Sequence, residues 1–103
     1  MLDIDRNGSR EWYDKKGELH REDGPAVEWN DGTKEWYRHG KLHRVDGPAI
    51  EYSDENKYWY MNGKLHRVDG PAVEESDGNK EYWLKDQEYS EKEYRKKVGK
   101  YCL

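Results

Sequence analysis

The groups in this sequence best suited to chemistry stand in one fixed constellation, His-Arg-x-Asp-Gly-Pro, which occurs three times. It brings together His20, Arg21 and Asp23, then His43, Arg44 and Asp46, then His66, Arg67 and Asp69, each set 23 residues after the last. An imidazole, a guanidinium and a carboxylate this close admit three kinds of chemistry. The guanidinium offers five donors in a planar fork, which suits a carboxylate or a phosphate. The imidazole can carry a proton near neutral pH or ligate a metal. The aspartate can accept backbone N–H bonds and lock a turn, with the arginine paired to it or to Glu28, Glu51 or Glu74 of a neighbouring unit. Each unit supplies a single motif histidine, whereas a metal centre converges three or four ligands, so no metal and no cofactor is expected. Two readings stay open: a turn lock, which is how structural consensus residues of a repeat behave, and a row of cations for an anionic partner.

Catalysis finds little footing. The chain has one cysteine, Cys102, and no G-x-S-x-G, phosphate-loop or H-E-x-x-H pattern. Adjacent carboxylates such as Glu74-Glu75 are expected by chance where charged residues reach 41%, and they read as a solvated edge. The expectation is a protein that is not an enzyme.

The elements that must position these groups follow from the period. A repeat of 20–50 residues means stacked copies of one supersecondary unit. Three full units span about 9–31, 32–54 and 55–77, a decayed fourth spans 78–89, and a cap follows at about 90–99, all in one repeat domain covering 1–103. Within a unit, Lys57-Tyr58-Trp59-Tyr60 is strand-prone. Asn62-Gly63 is a hairpin turn, and Lys64-Leu65-His66-Arg67 returns as the partner strand. Pro71 breaks the ladder because it has no N–H, and Ala72-Val73-Glu74 forms a third short strand. Glu55 stands where Asp31-Gly32 and Asp77-Gly78 have glycine, so a three-residue loop with Asn56 in the left-handed region is expected there. Ser90-Glu91-Lys92-Glu93 has the form of a capping box, which predicts a helix over 91–98 ended by Gly99. The expected fold is therefore mainly β: one continuous antiparallel repeat sheet of short hairpins in a single layer, closed by a short C-terminal helix.

Composition sets the kind of core. Leu, Ile and Val together number 13, and there is no Phe, while 5 Trp and 9 Tyr recur in register. Large aromatics, each able to bury about 150–250 Å², must replace the missing aliphatics. Successive strand residues point to opposite faces, so both faces carry aromatics. Some are packed between repeats, and others are left to act as contacts. Trp36 and Tyr60 are the candidates for contact, beside His43, Arg44, His66 and Arg67. With 19 basic and 23 acidic residues the net charge is −4, which disfavours nucleic acid and a membrane surface. The sequence has no apolar leader, spanning run or lipidation signal, consistent with a cytoplasmic protein.

The 23-residue period, the aromatic strand before Asn62-Gly63-Lys64-Leu65-His66 and the returning histidine resemble MORN repeats, paired short strands that stack into a twisted single-layer sheet. Where those repeats carry H-G-x-G, this chain carries H-R-x-D-G-P. The units also resemble bacteriophage and giant-virus proteins with H-R-x-D-G-P-A repeats, whose helical ending is similar to Tyr89-Ser90-Glu91-Lys92-Glu93-Tyr94. The resemblance implies a phage-encoded protein that binds and blocks a host protein, such as a defence component, in the host cytoplasm. The alternatives are a protein that sequesters a small anionic ligand such as a nucleotide, and a bacterial antitoxin or immunity protein. The oligomeric state stays open.

Overall fold

A computed structural model describes residues 2–4 and 8–99. Cys102 lies outside the described residues. Among the described residues, thirteen short strands and one helix follow one another. The strands are β1 (Leu2–Ile4), β2 (Arg10–Trp12), β3 (Val27–Glu28), β4 (Lys34–Glu35), β5 (Tyr37–Arg38), β6 (Lys41–Leu42) and β7 (Ile50–Glu51). They continue with β8 (Lys57–Tyr58), β9 (Tyr60–Met61), β10 (Lys64–Leu65), β11 (Val73–Glu74), β12 (Lys80–Leu84) and β13 (Gln87–Tyr89), before α1 (Glu91–Val98). All pairings are antiparallel.

The expected single sheet is divided. Nine strands form the main sheet in the order β1-β2-β3-β4-β7-β8-β11-β12-β13, while β5-β6 and β9-β10 stand as separate two-stranded hairpins. The reason lies at the central tryptophan of each unit. Trp36 N–H donates to Ala49 O at 2.7 Å and its carbonyl accepts from His43 N at 3.0 Å, so the strand changes partner at that residue. Trp59 does the same with Ala72 and His66. The return strand ends at Leu65; beyond it His66 N still bonds Trp59 O, Arg67 N bonds Trp83 O of the next unit at 3.3 Å, and the Arg67 side chain turns to Pro71 O. Successive hairpins are still stitched together: Gly40 N donates to Leu19 O and Gly63 N to Leu42 O, both at 2.8 Å.

The ends differ from expectation in two places. β1 pairs with β2 in a region the periodicity did not mark. The fourth unit completes its hairpin through Lys85-Asp86, both at positive φ (48° and 70°), where Asn62-Gly63 serves in the third unit. Glu55 corrects the loop assignment. The loop does close with three residues, Tyr52 N bonding Asn56 O and Glu55 N bonding Tyr52 O. The left-handed residue, however, is Glu55 (φ 75°), matching Gly32 (97°) and Gly78 (94°). Asn56 is held instead by Asp54, and its side chain accepts from Ser76 N at 2.7 Å, 20 residues further along the chain.

The helix forms as its capping sequence requires. Ser90 Oγ accepts from Glu93 N, acids occupy the first turn and bases the last. Tyr94 is its buried anchor. The hydroxyl donates to Arg67 O at 2.6 Å and accepts from Gly70 N, and the ring packs on Tyr82. The whole is a plate of 46 × 31 × 18 Å. Its buried residues recur with the period: Ala26, Ala49 and Ala72 are fully covered, and Val27, Ile50 and Val73 nearly so. No helix among the described residues is long and apolar enough to cross a membrane.

Candidate functional site

Register divides the strand residues between two faces with different chemistry, because directly opposed residues on neighbouring strands share a face. On one face a row crosses the main sheet as Arg10, Glu28, Lys34, Glu51, Lys57, Glu74, Lys80. Charges alternate in sign along it. On the other face the row reads Glu11, Val27, Glu35, Ile50, Tyr58, Val73, Glu81. It holds three carboxylates and no cation.

The His-Arg-x-Asp constellations lie on the first face and are built alike in each unit. Arg44 Nε donates to Asp46 Oδ1 at 3.2 Å, and Nη1 donates to Pro48 O and Glu51 Oε2, both at 3.0 Å. The guanidinium lies 3.8 Å above the centre of the Trp36 ring. Arg67 repeats this with Asp69, Pro71, Glu74 and Trp59, and Arg21 with Asp23, Pro25, Glu28 and Trp12. The Glu partner belongs to the arginine's own unit rather than a neighbouring one. The motif glycine follows from this packing, since a Cβ at Gly47 or Gly70 would stand 2.9 Å from the guanidinium carbon. Glu74-Glu75 is not a solvated edge: Glu74 pairs with Arg67, and Glu75, on the opposite face, accepts from the Asn79 side chain.

The histidines join units. Nδ1 of His20, His43 and His66 accepts the backbone N–H of His39, Asn62 and Lys85, at 3.1, 3.0 and 3.0 Å, in the following hairpin turn. An imidazole accepting at Nδ1 is neutral with its proton on Nε2. Burial, followed by the nearby Arg38, pushes the His43 pKa below its usual value, and burial with Lys85 does the same for His66.

Between successive turns the first face has two open grooves of about 560 and 590 Å³. One is lined by Arg21, Arg38, His43 and Arg44, the next by Arg44, Trp59, His66 and Arg67. The grooves therefore contain five of the six residues singled out from the sequence. Tyr60 stands apart from them on the second face, because Tyr60 opposes Leu65 across its hairpin as Tyr37 opposes Leu42.

At the junction of the first two units, Asp14, His20 and His39 converge, with ligand-capable atoms within 4.8 Å of one another. Counting one motif histidine per unit misses this cluster, because His39 comes from a hairpin turn. His39 Nδ1 bonds Asp14 Oδ2 at 2.8 Å, and this bond with backbone N–H donors holds the Asp14 pKa down at about 2. The His20 and His39 rings stack at 4.1 Å. Both His20 nitrogens already have partners, Nδ1 accepting from His39 N–H and Nε2 lying 3.0 Å from Glu22 Oε1, so a metal ion here would have to displace one of them.

The second face joins aromatics to carboxylates. Glu35 accepts from Trp29 Nε1 at 2.7 Å and Tyr37 OH at 2.8 Å, Glu11 from Tyr13 OH at 2.7 Å, and Glu81 from Trp83 Nε1 at 2.9 Å. All these donors are neutral. Among the described residues, Glu11, Glu35, Glu75 and Glu81 form no ion pair. Burial and then the Glu35 bond push the Tyr37 pKa up, and burial followed by Glu75 does so for Tyr58. Among the described residues, Trp29 and Tyr52 are the exposed aromatics, at 44% and 42%. The sequence carried a signal for this face: in Lys-x-aromatic-Tyr the x residue and the tyrosine lie on one side of the strand. No protein-family model, curated protein or solved structure matches this chain.

Proposed function

We propose that this chain is a non-enzymatic binding protein, a variant of the MORN repeat type, that holds another protein against its aromatic and carboxylate face. One observation carries the reading. Arg21, Arg44 and Arg67 of the first face pair with Glu28, Glu51 and Glu74 of their own units, whereas the second face presents carboxylates without cations beside exposed Trp29 and Tyr52. Exposed aromatics rimmed by charge mark protein interfaces. The commitment of three imidazoles to backbone N–H groups supports a structural role for the histidines rather than acid–base catalysis. By the resemblance of the repeats, the sharpest form of the proposal is a phage-encoded protein that binds and blocks a host protein. Affinity purification from the native host tests it, with Trp29→Ala/Tyr52→Ala in parallel. The wild type should retain one large partner and the variant should lose it. Equal retention by both would overturn the choice of face.

A second reading has a specific observation in its favour. Each groove of the first face presents a histidine Nε2 that carries its proton, beside three arginines in one groove (Arg21, Arg38 and Arg44) and two in the next (Arg44 and Arg67). A small anion such as a nucleotide would sit there. A rise in melting temperature with a nucleotide panel, lost in Arg38→Ala, would favour that reading over the first.

A further inference from the structure

The spacing of the carboxylate row defines what it can hold. Glu11, Glu35, Tyr58 and Glu81 occupy every second strand of the main sheet, so successive members lie about 9.5 Å apart at the usual strand separation. A polyproline II chain rises about 3.1 Å per residue with three residues per turn, so its residues i and i+3 point the same way about 9.3 Å apart. We infer that this row binds a basic polyproline II segment of a partner protein, with Arg or Lys at every third position. The inference rests on the choice of face above and names the partner's chemistry.

Four basic residues, at i, i+3, i+6 and i+9, would meet Glu11, Glu35, Tyr58 and Glu81 in turn. Three would face carboxylates and one a tyrosine ring, which attracts a cation over its π face. Each Glu35 oxygen already accepts one neutral donor, and a carboxylate oxygen has a second lone pair to offer. Tyr37, Tyr60 and Trp83 flank the row, and aromatic-lined grooves are how polyproline II ligands are commonly received. The ligand arrives with its backbone already ordered, so little conformational entropy is lost. The first face does not suit such a ligand, because its row alternates in sign and begins and ends on a cation.

The test uses two synthetic peptides of one composition. In the first, arginine stands at positions 1, 4, 7 and 10 with proline between; in the second, four consecutive arginines are followed by six prolines. Tryptophan fluorescence titration should show the spaced peptide binding at least tenfold tighter than its block isomer, and weakening as salt rises. Glu35→Gln/Glu81→Gln, confirmed as folded by its melting temperature, should lose at least tenfold for the spaced peptide. Lys41→Ala, on the other face, should lose nothing. Equal binding of the two isomers, no binding of either, or an unaffected Gln variant would overturn the inference. If the peptides fail while a captured protein still depends on Trp29 and Tyr52, the face stands and the polyproline register falls.

Discussion

Replacing Arg44 with lysine separates a structural arginine from a binding one. The charge is kept, and an ammonium can still reach Pro48 O or Glu51. The planar stack on Trp36 is lost, as is the Nε bond to Asp46. Asp46 is 87% exposed, so its pair contributes little. A guanidinium stacked on a partly buried ring contributes about 1 kcal/mol, and the charge-assisted bond that one ammonium cannot replace about another 1 kcal/mol. The expected loss is therefore about 2 kcal/mol. For a chain of this size that lowers the melting temperature by roughly 8–16 °C. Circular dichroism melts measure it directly. Gly47 supplies an internal control: in the wild type Gly47→Ala forces a Cβ against the guanidinium, and beside lysine that clash is relieved. The double-mutant cycle should thus show coupling of about 1 kcal/mol or more. A melting temperature within two degrees of wild type, with additive single effects, would refute the turn lock.

Acid should loosen the joints between units. His43 and His66 have pKa values below the unfolded value of 6.5, so the unfolded chain binds more protons as pH falls. Their contribution is full above pH 6.5 and is lost through and below that value. His43→Asn/His66→Asn, whose Oδ1 can accept the same N–H bonds without titrating, should flatten the fall in melting temperature between pH 7.5 and 5; an unchanged slope would count against it. Glu55→Gly should raise stability by roughly 0.5–1 kcal/mol by relieving φ 75°, and a lower melting temperature would show no strain there. Trp59→Ala should cost about 3 kcal/mol, the lower end for a large aromatic because the ring is half-buried, and urea unfolding would expose a smaller value.

The short strands and the capped helix were legible because Asn-Gly, Asp-Gly, Gly-Pro and Ser-x-x-Glu each carry a local conformational rule. The break at Trp36 and Trp59 was not, because a strand that exchanges partners keeps the same alternation as one that does not. Glu55 misled for a related reason: the loop imposes its φ through backbone hydrogen bonds, whatever the residue prefers. The role of His43 depended on Asn62 N–H, 19 residues away, which no local pattern reveals. The carboxylate row was readable in principle from Lys-x-aromatic-Tyr, but only once register fixed which x residues stand side by side.

The most direct test of the contact face is hydroxyl-radical footprinting of the purified complex, read residue by residue. Trp29 and Tyr52 should gain strong protection when the partner is bound, while Val45, 75% exposed between the two grooves of the opposite face, stays as reactive as in the free protein. Protection of Val45 with Trp29 and Tyr52 unchanged would place the partner on the arginine face and contradict the account.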